Sequence, residues 1–112
     1  GGFIQIRRNV SERPEGAKGI LLKVRGNGEN YYIHVNTSET IFLPQQYRFY
    51  YQANFPTSRE WNEVKLPFST AFKRSNPQIS KYLRGENVRT IGLLAYGKDH
   101  NALLEVKYLS FY

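Results

Sequence analysis

The chain has 112 residues, a length that suits one domain with a hydrophobic core of its own. It contains no cysteine, which excludes a disulfide framework, a thiolate metal site and a thiol nucleophile. Sixteen Lys and Arg against nine Asp and Glu give a net charge of +7. That excess suits nucleic acid, an anionic membrane or an acidic partner, but no run of five or six basic residues forms an arm.

Strand signals follow one another along the chain, separated by turn residues. Residues 3–8, "FIQIRR", alternate, and the stretch 11–19 is a loop rich in Pro, Gly and charge. Residues 20–25 place Ile20, Leu22 and Val24 on one face. Asn27-Gly28 is a strong hairpin signal, because both central positions of such a turn must tolerate positive φ. Residues 30–36, "NYYIHVN", then return. A two-residue loop would set Val24 against Tyr31, Leu22 against Ile33 and Ile20 against Val35, all on one face. The other face would carry Lys23, Arg25, Tyr32 and His34.

Residues 46–55 predict a long strand with Tyr47, Phe49, Tyr51, Ala53 and Phe55 on one face. Gln46, Arg48, Tyr50, Gln52 and Asn54 fall on the other. Residues 61–68 turn Val64 and Leu66 inward, with Pro67 at the end or on an edge. Residues 69–87 have no clean period and predict a long basic loop with short helical turns. Residues 88–97 are apolar on both faces, as in a central strand, and 103–112 close the domain. Seven strands at this spacing predict an all-β fold, an antiparallel β-sandwich of jelly-roll type or a barrel, as one domain over 1–112.

Chemistry for an enzyme is sparse. There are two histidines, His34 and His100, and a single aspartate, Asp99, which adjoins His100. Adjacent residues cannot serve as orienter and base of a relay. No His and carboxylate cluster has metal-ligand spacing, and "RGNG" joins two strands rather than opening a helix as a phosphate loop does. The expectation is therefore no catalytic residue, no metal and no cofactor. The tripeptides at Asn9 and Asn36 fit the glycosylation pattern, but patterns this loose arise by chance.

The polar strand faces are the better candidate. Arg25, Tyr32, His34, Arg48, Tyr50 and Gln52 form either solvated surface or a partner-binding face, since Arg and Tyr commonly anchor interfaces. Trp61, the single tryptophan, is either a packing residue or a stacking platform. Tyr32, Tyr50 and Trp61 also allow a carbohydrate-binding alternative. Nucleic acid would suit the charge and the aromatics, but the dispersion of Lys and Arg argues against it.

Several strings taken together resemble the family of complex I intermediate-associated proteins. They are Arg25 to Gly28, Tyr51-x-Ala53-x-Phe55, Glu60 to Ser69, Val88 to Gly92 and Leu104 to Val106, in order and at matching spacings. The resemblance implies a galactose-binding-like jelly roll that assists assembly of a respiratory membrane complex. Its partners would be subunits or assembly factors of that complex. It implies no catalytic residues. The family usually begins with further strands, so the chain is expected to lack its N-terminal part. The basic loop suits a bacterial, cytoplasmic member, with a mitochondrial one as the alternative.

Overall fold

The computed structural model describes residues 2–9, 15–41, 49–97 and 102–112, with the backbone alone for residues 2–9, 96 and 97. Eight strands are present among them. They are β1 (Gly2–Asn9), β2 (Gly19–Gly26), β3 (Asn30–Thr37), β4 (Tyr51–Pro56), β5 (Asn62–Pro67), β6 (Lys73–Arg74), β7 (Val88–Gly97) and β8 (Leu104–Phe111). They build a five-stranded sheet in the order β1-β7-β3-β4-β6 and a three-stranded sheet in the order β5-β2-β8. Every pairing is antiparallel. The architecture is an all-β sandwich.

The alternation read from the sequence selects the buried faces. Ile20, Leu22 and Val24 of β2 and Tyr31, Ile33 and Val35 of β3 are all buried, at 0–1% exposure. Burying a side chain of this size stabilises by roughly 1.5–3 kcal/mol. Tyr51, Ala53 and Phe55 of β4 join the same core, and Phe49 packs against it. Leu66 is buried and Val64 is partly so. β7 runs between β1 and β3, as its two apolar faces require. β5 ends at Pro67 on the edge of its sheet.

The expected β2–β3 hairpin does not form. β2 pairs with β5 and β8, whereas β3 pairs with β4 and β7. Residues 27–29 instead carry the chain from one layer to the other. The two strands do meet, face to face through their apolar side chains rather than edge to edge through their backbones. A period of two specifies which face is buried, and this is the same for a hairpin and for a layer crossing.

The crossing is tied down locally. Asn27 Oδ1 accepts a hydrogen bond from the Glu29 N–H at 3.3 Å and lies 2.8 Å from the Tyr31 hydroxyl. The Tyr31 oxygen also accepts from the Leu103 N–H at 2.9 Å. Gly28 has φ of 90°, in the left-handed region that suits glycine.

The expected strand at 46–55 begins later, at Tyr51, and its part at 46–48 lies outside the described residues. The loop 69–87 contains the two-residue β6 and a single 3-10 turn at Gly85–Asn87. It is anchored by buried Ile79 and Leu83. The Tyr51 hydroxyl donates to the Ser80 carbonyl at 2.5 Å, and the Glu39 carboxylate accepts from the Ser80 N–H.

Burial, and then the nearby Glu39, hold the Tyr51 hydroxyl above the ordinary tyrosine pKa of 10.0. The folded state therefore keeps this proton more tightly than the unfolded chain. The corresponding stability is complete below the unfolded value and is lost as pH rises through the folded one. Thermal unfolding measured from pH 9 upward should show an alkaline decline that is shallower in Tyr51→Phe. Equal slopes in the two proteins would exclude Tyr51 as the cause.

Candidate functional site

The predicted site residues lie on two opposite surfaces. Arg25, on β2, points away from the core of the three-stranded sheet. Tyr32, His34 and Gln52 do the same on the five-stranded sheet, where Cα register places His34 opposite Gln52 and Tyr32 opposite Asn54. Arg25 therefore cannot share a contact patch with Tyr32 and His34. Arg48 lies outside the described residues.

On the five-stranded sheet, His34 Nε2 is 2.6 Å from Gln52 Oε1. The His34 ring stacks on Tyr50 at 4.1 Å between centroids and 15° between planes. His34 is consequently only 7% exposed, although it sits on the outer side of its strand. These side chains are occupied with one another. One face of the Tyr50 ring is covered, and Trp61 belongs to the other layer. The three aromatics expected as a sugar platform do not assemble.

The outer face of the three-stranded sheet is more open. The Arg25 guanidinium lies 4.7 Å from the Trp61 ring centroid, and Lys107 Nζ lies 5.7 Å from it. Arg25 also pairs with Glu105 at 3.0 Å. Register explains the grouping, because Arg25 stands opposite Glu105 on β8, and β5 begins just after Trp61. Both members of the ion pair are exposed, so it contributes little to stability. Nearby, the Tyr108 hydroxyl donates to the Glu63 carboxylate, which holds the Tyr108 pKa up. A tryptophan flanked by cations on an exposed sheet is a suitable anchor for a protein partner.

Two arrangements escaped the sequence reading. The first is a buried polar network around Asn36. Its amide donates to Thr40 Oγ1 at 3.3 Å and to the Phe49 carbonyl at 2.9 Å, and its Oδ1 accepts from Thr90 Oγ1 at 3.3 Å. Asn36 is 2% exposed, which removes it as a glycan acceptor. The second is a cleft of ≈ 840 Å³ at the end of the sandwich where β2 begins and β5 and β8 finish. The excess of Lys and Arg in the 69–87 loop was its visible trace. Among the described residues no group of His, Asp or Glu is arranged to hold a metal ion, and no helix is long and apolar enough to cross a membrane.

The family strings now have physical readings. Gly26 leaves no room for a side chain, and Gly28 needs its positive φ. Tyr51, Ala53 and Phe55 are core, and Val88, Thr90 and Ile91 are buried. A comparison with curated proteins finds no match. The family model described as complex I intermediate-associated protein 30 matches residues 1–106, nearly the whole chain. The chain belongs to the complex I intermediate-associated protein 30 family.

Proposed function

We propose that this chain is a non-enzymatic protein-interaction module that assists assembly of a respiratory, complex I-like membrane complex. Family membership carries the reading, since the family is described by its association with intermediates of complex I. The cluster of Arg25, half-buried Trp61 and Lys107 supplies a surface of the required kind, with an aromatic ring flanked by cations. The charge of +7 favours acidic subunits and fast encounter with them.

The test is capture of the full-length protein from its own cells in mild detergent, alongside deletion of its gene. The expected result is co-purified complex I subunits or their assembly factors, with less mature complex on native gels after deletion. Intact respiratory complexes after deletion, with no such subunit captured, would overturn the reading. Trp61→Ala and Arg25→Ala should each reduce the captured subunits. The folded chain should lose at most about 1 kcal/mol in Arg25→Ala, whose side chain is exposed, and about 1–2 kcal/mol in Trp61→Ala, whose ring is half-buried. Undiminished capture would remove this face from the interface.

A further inference from the structure

The cleft at the end of the sandwich is lined by five cations, Lys18, Lys73, Arg74, Lys81 and Arg84, against one carboxylate, Glu86. Among the described residues the one ion pair is Arg25 with Glu105, so none of the five is neutralised by an acid there. They come from distant parts of the sequence, brought together where Lys18 and Phe68 share a backbone hydrogen bond of 2.9 Å. Part of the lining, here called its floor, is apolar. Phe68 and Phe72 lie in it with ring centroids 5.8 Å apart.

The rim is built rather than loose. Arg74 Nη1 donates to the carbonyls of Pro77 at 3.2 Å and Ile79 at 2.9 Å, so it fixes the loop that leads to Lys81 and Arg84. Ile79 and Leu83 are buried on either side of Lys81 and Tyr82. The Tyr82 N–H donates to Ser80 Oγ at 3.2 Å. Between these anchors Tyr82 is 72% exposed. An aromatic side chain on a pinned backbone, left largely in water beside these cations, has no packing role among the described residues. It does have the properties of a preorganised contact residue.

We infer that this cleft binds an acidic peptide segment of a partner protein, one that carries an apolar or aromatic side chain between its carboxylates. The carboxylates would meet Lys18, Lys73, Lys81 and Arg84. The apolar side chain would reach the floor at Phe68 and Phe72, with Tyr82 closing over the segment. Concavity favours a peptide over a bilayer, because a flat surface matches a concave lining poorly. The inference deepens the assembly-factor reading, on which it rests, by stating the chemistry of the partner segment.

The test measures fluorescence anisotropy of labelled twelve-residue peptides with the full-length protein. One peptide is rich in Asp and Glu around a central Phe, a second has Ser for the Phe, and a third has Lys for the acids. The first should bind most tightly, weaken as salt is raised and lose measurable binding when its acids become Lys. Lys73→Glu, Lys81→Glu and Tyr82→Ala should each weaken it about tenfold or more. Arg59→Glu makes the same charge change near Gly26, at the other end of β2, roughly 20 Å away, and should alter binding less than about twofold.

Equal binding of the acidic and lysine peptides would overturn the inference. So would an Arg59→Glu effect as large as that of Lys81→Glu. Binding of phosphatidylglycerol vesicles or of ATP that requires Lys81 and Tyr82, with no peptide binding, would also overturn it and assign the cleft to lipid or nucleotide. Undiminished capture of complex I subunits by Lys81→Glu, again with no peptide binding, would remove the cleft and leave the assembly role standing. Cleft-dependent peptide binding in a protein whose deletion spares complex I would support the cleft and remove the assembly role.

Discussion

Asn36→Leu should destabilise the chain by about 3 kcal/mol, one of the largest losses available from a single conservative change in volume. The asparagine serves three partners at once, and two of them, Thr40 and Thr90, are themselves buried. Leucine fills the space but leaves the Thr90 hydroxyl and the Phe49 carbonyl without their hydrogen bonds. Thr40 retains part of its set, because its hydroxyl still accepts from the Thr37 N–H at 2.8 Å and donates to the Thr37 carbonyl at 3.3 Å. Urea unfolding should show the midpoint falling while the slope is kept. Asn36→Asp should lose at least as much at neutral pH, because a carboxylate cannot donate to the Phe49 carbonyl and its charge would be buried. Acid should return part of that stability, since the protonated form is again a donor. A midpoint for Asn36→Leu within about 0.5 kcal/mol of the parent would show that the network contributes little.

Gly26→Ala should cost about 2–3 kcal/mol, and Gly28→Ala, two residues on, about 1–2 kcal/mol. The reasons differ. A Cβ on Gly26 would stand 2.5 Å from Thr57 Oγ1 and 2.8 Å from the Leu103 carbonyl oxygen. Neither can withdraw freely. Thr57 Oγ1 donates to the Glu29 carbonyl at 2.7 Å, and the Gly26 N–H is bonded to the Ser58 carbonyl at 2.7 Å. At Gly28 there is nothing within 4 Å, and the cost comes from the φ of 90° alone. Adding Thr57→Ala to Gly26→Ala should recover only part of the loss, because the Leu103 carbonyl remains in the way. Thermal unfolding of the four proteins decides the matter. Equal losses at the two glycines, with no recovery in the double variant, would refute a steric origin at Gly26.

These two sites also mark how far the sequence could be read. Alternation in "ILLKV" and "YYIHV" was sufficient to name six core residues, since a half-buried strand must place every second side chain inward. It was not sufficient to say which strand lies beside which. That depends on the layer each strand joins, and Asn27-Gly28 turns equally well into a hairpin or across a sandwich. The error carried forward to the site, where it merged Arg25 with Tyr32 and His34 although two sheets separate them. Trp61 was noticed, but its pairing with Arg25 and Lys107 joins residues from three strand regions that only the fold brings together. The Asn36 network has no periodic signature, because a polar residue at an outward strand position normally signifies solvent. The basic loop was visible as composition. Its role as one wall of a cleft depends on Lys18, fifty or more residues upstream.

The layer crossing after β2 also bears on how the chain reaches this structure. β1 must wait for β7, and β2 must find β8, across about eighty residues of intervening chain. Among the described residues only β3 and β4 are consecutive strands that pair in one sheet. Loop closure of this length is entropically costly before any contact compensates, and topologies dominated by such pairings fold in milliseconds to seconds. On a ribosome the place between β1 and β3 in the larger sheet stays vacant until β7 emerges, and β2 keeps an unpaired edge until β8 does. A protein whose proposed task is to escort unfinished assemblies is, during its own synthesis, an unfinished assembly with open edges.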